Sequence, residues 1–480
     1  MSPGLILSSF LIYTLIIFGI AWVTSRKADS QSFFIGNKRS PWLVVAYGMV
    51  GASLSGVTFI SIPGWVGDTG FSYFMIVLGY VFGYAVISTV LLPLYYKLNL
   101  TSIYTYLDGR FGRSTYKTGS SFFLLSRIIG ASFRMFLVVS VLQVFVFDYF
   151  NIPFWVTVII FMTLIQLYTM KGGIKTIVWT DSFQTTFMLT AVIVTIAIIL
   201  SQLNVGLGEM IKNVWNSDLS RIIETDIDSP RHYLKQFFSG MFITIVMTGL
   251  DQDMMQKNLS CKNLKDAQKN MTTLSLVLVP VNLIFLFLGA VLYIYAAQVS
   301  LPLPALTDHL FPTIAFKELG VIAGIIFIIG LISAAYSSAD SALTSLTTSF
   351  SIDILELDKK YPENEVLLKK NRQRVHFVMA LIVIFVIILF EIINNQAIIN
   401  QLFTFAGYTY GPLLGFYSFG LFTKYQVHDK WVPLVAIAAP IISFLISNFS
   451  ELLFNGYQFG FELLIINGLI TITGLFIIRK

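Results

Sequence analysis

Five consecutive residues, Ser337-Ser338-Ala339-Asp340-Ser341, sit inside an apolar run from Val321 to Phe350. Polar and acidic groups are costly at membrane depth, and a cluster of them there marks an ion or substrate path. Adjacent hydroxyls, together with backbone carbonyls, are the oxygen ligands that a small hard cation takes. The same hydroxyls also serve as close-packing contacts between membrane helices. Both readings fit this stretch taken alone.

Further polar groups interrupt other apolar runs. Segment 41–63 carries Gly51-Ala52-Ser53-Leu54-Ser55-Gly56-Val57-Thr58, then Ser61 and Pro63-Gly64. Small, polar and helix-weakening residues at mid-span suit a broken helix, whose freed carbonyls and half-helix ends bind ions and solutes. They equally suit a small-residue packing face. Segment 118–147 holds Arg127 and Arg134. Their seven-residue spacing is two helical turns, so both lie on one face. Arg127 lies near enough to the inner end for structural pairing. Arg134 is deeper and could grip a carboxylate with two parallel hydrogen bonds; an ion pair with Asp181 is the competing reading. Asp181, in segment 176–201, falls about two turns into the bilayer from the inside and needs a cation, an arginine or a proton. Asp251-Gln252-Asp253 through Lys257 ends segment 236–255 and reads first as a hydrated helix end, with an inner polar gate as the alternative.

The elements that must position these groups follow from composition. The 480 residues are 56% hydrophobic and only 12% charged, about half the charge fraction of a soluble domain. Apolar runs long enough to span a bilayer occur at 4–23, 41–63, 71–96, 118–147, 154–170, 176–201, 236–255, 272–298, 320–350, 376–396, 399–421, 431–448 and 460–478. The runs lack the alternation of a membrane β-barrel. The expected class is an all-α polytopic membrane protein of about 13 helices, a single transmembrane domain over 1–480 in contact with the lipid bilayer. An odd count with the N-terminus outside and the C-terminus inside places 24 of the 31 Lys and Arg residues in inside loops and 5 in outside loops, as the positive-inside rule requires. The run at 4–23 has basic residues after it rather than before it, so it reads as a retained helix and not a secretory signal. The loop at 203–235 has Met210, Ile211, Val214 and Trp215 at helical spacing and is predicted to form a short amphipathic helix.

Several function classes recede on these grounds. No phosphate-binding glycine loop occurs, so nothing points to ATP as the driver. The net charge of +6 follows from the inside loops and does not point to nucleic acid. Cys261 is the single cysteine, so no internal disulfide forms. His232, His309, His376 and His428 are dispersed, which argues against a zinc site and a metalloenzyme. A passive channel would be built from ringed, symmetric filters, unlike this broken-helix pattern.

With these pieces in order, the chain resembles the sodium:solute symporter family. The resemblance is carried by Ser53-Leu54-Ser55-Gly56-Val57-Thr58-Phe59, Gly172 to Asp181, Asp251 to Asn258, Ser337 to Asp353, and Gly407-Tyr408-Thr409-Tyr410-Gly411-Pro412. It implies an inverted five-helix repeat (LeuT-like) with a broken first helix, the repeats at 41–201 and 236–421, a peripheral helix at 4–23 and two more at 431–478. It implies a non-enzymatic, sodium-coupled symporter working by alternating access in the bacterial inner (plasma) membrane, with Na+ as coupling ion, no organic cofactor and no obligatory protein partner.

Carried over residue by residue, the family's main sodium site takes the carbonyls of Gly51, Leu54 and Ala334 and the hydroxyls of Ser337 and Ser338. A second sodium site, present in some members, falls on Asp181 and Ser341, with Asp340 where some relatives have Ser or Thr. The extra carboxylate leaves a second sodium, a shared proton or pairing with Arg134 open. The hydroxyl-rich second segment with Arg134 looks most like the sialic-acid branch, so Ser53, Ser55, Thr58 and Arg134 are the expected contacts to a carboxylate-bearing solute. Neutral sugars or inositol, amino acids and monocarboxylates are the alternative solutes.

Overall fold

A computed structural model describes residues 3–26, 28–393 and 398–480. Lys27, among the inside-loop charges, and positions 394–396 of the tenth predicted segment lie outside the described residues. The helices run in chain order as α1 (Pro3–Thr24), α2 (Trp42–Thr69), α3 (Tyr73–Lys97), α4 (Arg113–Phe150), α5 (Phe154–Gly172), α6 (Ile174–Leu203), α7 (Tyr233–Thr244, extended by one wide turn, Ile245–Gly249), α8 (Leu264–Gln298), α9 (Gly320–Ile354), α10 (Glu365–Ile393), α11 (Ile398–Phe422), α12 (Val432–Asn448) and α13 (Leu463–Ile477). Among the described residues, ten of them, all but α7, α11 and α13, are long and apolar enough to cross a membrane. The protein is an all-α polytopic membrane protein.

The centre and the rim differ in how much of each helix is hidden. In its most apolar stretch α2 is 72% buried and α9 67%, whereas α12 is 22% and α1 33% buried. α2 packs on α6, α8 and α9; α9 also packs on α4 and α6; α3 lies against α7 and α8, and α11 against α4 and α13. The polar runs singled out in the sequence therefore lie on the two most central helices. The small residues in α2 permit this closeness. A side chain at Gly51 would meet Thr185 Oγ1 at 2.2 Å, and one at Gly56 would meet Val138 at 2.5 Å.

Two helices break. Within α2, Ser55 has φ 38° and ψ 175°. A non-glycine residue with positive φ is uncommon and costs about 1–3 kcal/mol, held only where the surroundings over-determine it. The break releases carbonyls ahead of it and N–H groups behind it. In α7 the apolar run predicted at 236–255 does not continue. It stops at Leu250, and Asp251 caps a new helix, Gln252–Leu259, by accepting from the N–H groups of Asp253 (2.9 Å) and Met254 (3.4 Å).

Two other expectations are refined. α10 starts at Glu365, well before the apolar run, because its charged first turns are helical too; Arg372, expected in an inside loop, is buried with its guanidinium 4.0 Å from the Phe33 ring centre. The amphipathic helix in the 203–235 loop is present as Leu207–Trp215. It packs on α8 with Met210 and Val214 buried, and leaves Ile211 and Trp215 exposed. At the far end of α9, the Lys117 ammonium bonded to Glu356 (2.8 Å) holds that carboxyl below its usual range and ties α9 to α4.

Candidate functional site

The break at Ser55 opens onto a cavity of about 100 Å³. Ser53, Ser55, Thr58 and Arg134, expected to contact solute, all line it, joined by Tyr84, Thr244, Thr248, Asn282, Leu402 and Phe403. Asn282 is a residue that the sequence reading passed over. A buried amide within the long apolar run of α8 was its signal, since such a group is expensive in hydrocarbon. The second half of α2 begins at Gly56, and Val57 and Thr58 of its first turn line this space, a setting at a helix N-terminus that favours an anion.

The two arginines of α4 have different surroundings. Arg127 is consumed: it pairs with Asp253, and its other nitrogen lies 3.9 Å from Asp251. Asp251 also accepts a hydrogen bond from Tyr410 at 2.5 Å. Arg134 makes no ion pair among the described residues, and its Nε has no hydrogen-bond partner. The suggested pairing of Arg134 with Asp181 is therefore replaced. Asp181 holds Lys257 at 2.7 Å and accepts from the Ser337 hydroxyl at 2.7 Å.

The Asp251–Asn258 stretch is not a hydrated helix end. Every residue in it is buried. After the break at Leu250, the short helix Gln252–Leu259 folds under α2, α6 and α9 instead of running out into water, and its polar groups find protein partners. Gln252 donates to the Thr101 carbonyl (2.8 Å) and accepts from the Ile103 N–H (3.0 Å). Gln256 donates to Thr348 (2.8 Å), and Asn258 accepts from Asn270 (2.7 Å). Lys257, counted among the loop cations, is one of the largest fully buried side chains.

The residues expected at the main sodium site gather between α2, α6 and α9. Gly51 donates its N–H to Thr185 Oγ1 (3.1 Å), and Thr185 donates to the Asp181 carbonyl (2.7 Å). Ser338 donates to the Ala334 carbonyl (3.0 Å), and Leu54, Ala334, Ser337 and Ser338 are buried. Ser337 spends its proton on Asp181, which leaves its oxygen lone pairs available to a cation. Asp340 accepts from Tyr168 (2.9 Å); its other oxygen and the Ser341 hydroxyl have no partner.

Residues 33–426 match the sodium:solute symporter family along most of the chain. The protein belongs to that family. Membership makes it a sodium-coupled secondary transporter of a small organic solute across the bilayer rather than an enzyme. Among its relatives is the sodium/sialic acid symporter NanT of Aliivibrio fischeri, 26% identical over 83% of this chain and 79% of that one. Another is the sodium/sialic acid symporter SiaT of Proteus mirabilis, 25% identical over 94% and 91%. A solved Na+-coupled sialic acid symporter in a substrate-bound outward-open state superposes with a TM-score of 0.84 at 19% identity, covering 99% of both chains. The fold is thus that of the LeuT-like symporters.

The motif Gly407 to Pro412 has a structural role within this fold. Pro412 cannot donate to the Tyr408 carbonyl one turn back. Asn467 of α13 supplies the missing donor at 2.8 Å and also reaches the Gly407 carbonyl at 2.9 Å. Tight packing makes Gly51 a sensitive position. Gly51→Ala is expected to cost about 1–3 kcal/mol through overpacking against Thr185, seen as a lower melting temperature in detergent. An unchanged melting temperature would show that α2 and α6 can separate freely.

Proposed function

We propose that this symporter imports an acidic sugar of the sialic-acid type together with sodium, by alternating access. The observation that carries this reading is Arg134, an unpaired guanidinium lining the same cavity as Ser53, Ser55, Thr58 and the break in α2. A carboxylate would complete its planar donor fork. Relatives named for sodium/sialic acid symport support the same choice. Inward accumulation of labelled N-acetylneuraminate by proteoliposomes under a sodium gradient, and its absence under a potassium gradient, is the test.

The proposed sodium ligands are the carbonyls of Gly51, Leu54 and Ala334 and the hydroxyls of Ser337 and Ser338. All are neutral, so the ion keeps its charge and is held loosely enough to leave. Loss of one hydroxyl bonded to a charge costs about 1.5–3 kcal/mol, or about 10- to 100-fold in an equilibrium constant. Ser338→Ala is therefore expected to raise the sodium concentration for half-maximal uptake by at least about tenfold. An unaltered sodium requirement would remove Ser338 from the site.

In this reading α7, α11 and α13 also span, giving thirteen helices with the N-terminus outside and the C-terminus inside, in the bacterial inner membrane. The repeats are 41–201 and 236–421, with 4–23 and 431–478 peripheral. The helix pairings support them. Shifting each helix by five turns the α2–α8 contact into α7–α3, and α4–α11 into α9–α6, and all four pairs are in contact. The buried layer around Asp251–Asn258 then closes the inner side.

A second reading, a small monocarboxylate as solute, draws on the cavity volume. About 100 Å³ is below the usual range of about 300–1,000 Å³ for ligand pockets. A neighbouring cavity of about 320 Å³, lined by Trp65, Arg231 and Tyr408, lies on the side of the 203–235 loop. Phe403 borders both cavities and meets Phe461 edge to face, with ring centres 4.8 Å apart. A sugar acid requires Phe403 to swing and join them. Phe403→Ala is expected to speed sialate entry several-fold and leave a short-chain acid unaffected, in parallel uptake assays. Equal effects on both would favour the small solute.

A further inference from the structure

The expected second sodium position is built around Asp181, and a protein cation already stands there. Lys257 Nζ lies 2.7 Å from Asp181 Oδ2, and both side chains are 1% exposed. The other oxygen of Asp181 accepts from Ser337 at 2.7 Å. One oxygen of the carboxylate is thereby hydrogen-bonded, and the other faces the ammonium as an ion contact. Asp340 is half committed, to Tyr168, which leaves one of its oxygens and the Ser341 hydroxyl without partners. These oxygens, with the likewise unpartnered Thr344 hydroxyl one turn on, belong to a site whose positive charge Lys257 already supplies. A second sodium on Asp181 would also sit within a few ångströms of the buried ammonium, where repulsion between like charges is strong because little water screens it.

The lysine is as dependent on Asp181 as the aspartate is on it. An ammonium is buried only with a partner that offsets its desolvation. The break of α7 at Leu250 directs the short helix Gln252–Leu259 inward, and this is what carries Lys257 to Asp181. The position therefore holds a single positive charge whether a tethered ammonium or a free ion supplies it.

We infer that Lys257 is a built-in cation in place of the second sodium, so that this symporter couples its solute to one sodium. The inference rests on the sodium-symport reading above. It also gives Lys257 a second task. Ser337 contributes to the proposed main site and donates to Asp181, which holds Lys257. Sodium at the main site is therefore linked, through one hydroxyl and one carboxylate, to the short helix that closes the inner side.

Sodium binding to the purified protein, counted with labelled sodium at equilibrium, is expected to give one ion per chain with a hyperbolic isotherm. Lys257→Gln is expected to bind two, with a sigmoidal isotherm, because it frees Asp181 for an ion. Lys257→Arg retains the charge and is expected to stay at one. Two ions on the unsubstituted protein, or one on both it and Lys257→Gln, would overturn the inference while leaving sodium symport intact. No sodium on the unsubstituted protein would remove the symport reading and the inference together. A measurement needing no variant adds to this. One sodium with one monoanionic sialate moves no net charge, so imposed membrane potential is expected not to change sialate accumulation in proteoliposomes. A clear rise with an inside-negative potential would contradict single-sodium coupling.

Discussion

Arg134→Ala is expected to lower the uptake of a carboxylate solute by about 100-fold at sub-saturating concentration while leaving the protein folded. A hydrogen bond to a charged group contributes about 1.5–3 kcal/mol, and about 2.8 kcal/mol corresponds to a factor of 100. The loss falls on solute binding because Arg134 makes no ion pair among the described residues, so its removal strands no carboxylate. The melting temperature without solute is expected to hold or to rise, since an unpaired, partly buried charge is removed. Arg134→Lys keeps the charge but loses the planar fork, and an intermediate loss of about tenfold is expected. Uptake that survives Arg134→Ala, with sodium dependence intact, would mean that the solute is recognised without its carboxylate.

The partner residue on the same face is expected to behave in the opposite way. Arg127→Ala leaves Asp253 and Asp251 buried with no arginine between them. Removing one member of a buried ion pair costs about 3–5 kcal/mol, a large share of the stability of any protein. The expected outcome is a sharply lower melting temperature and poor recovery from the membrane. Arg127→Ala combined with Asp253→Asn removes one of the two stranded charges and is expected to recover part of the loss. A single variant as stable as the unsubstituted protein would show that water reaches the Asp251–Asp253 cluster, and with it that the inner side is open. In the proposed reading, two arginines seven residues apart separate into one paired with Asp251 and Asp253 and one left for the solute.

The division between them was partly legible in the sequence. Their spacing placed both on one face, and the depth of each suggested pairing for Arg127 and a clamp for Arg134. The break in α2 was legible from Ser53 to Gly56, where small and hydroxyl residues interrupt an apolar span. The partner of Asp181 was not legible. Lys257 is far from it in the chain, and a run such as Asp-Gln-Asp-Met-Met-Gln-Lys looks like a solvated helix end, because local pattern reports polarity but not which helices will cover it. Burial of that run depends on the break at Leu250, and the only local sign of the break was Asp251, a residue suited to cap a new helix. Asn282 was missed for a different reason. A lone amide in a long apolar run leaves little mark on periodicity, though its cost in hydrocarbon makes it informative.

The number of sodium ions sets what this transporter can do for its host. An ion crossing 100 mV supplies about 2.3 kcal/mol, but with one sodium and one monoanionic solute the two charges cancel. Accumulation then draws on the sodium gradient alone and is indifferent to voltage. On the inference above, Lys257 occupies the place that a second imported sodium would take.

The most direct test of the central claim is uptake of labelled N-acetylneuraminate into proteoliposomes under an inward sodium gradient, with an equal potassium gradient as control. Accumulation above the external concentration with sodium, and none with potassium, is the expected result. Equal uptake in both salts, levelling off at the external concentration, would contradict sodium-coupled symport of an acidic sugar.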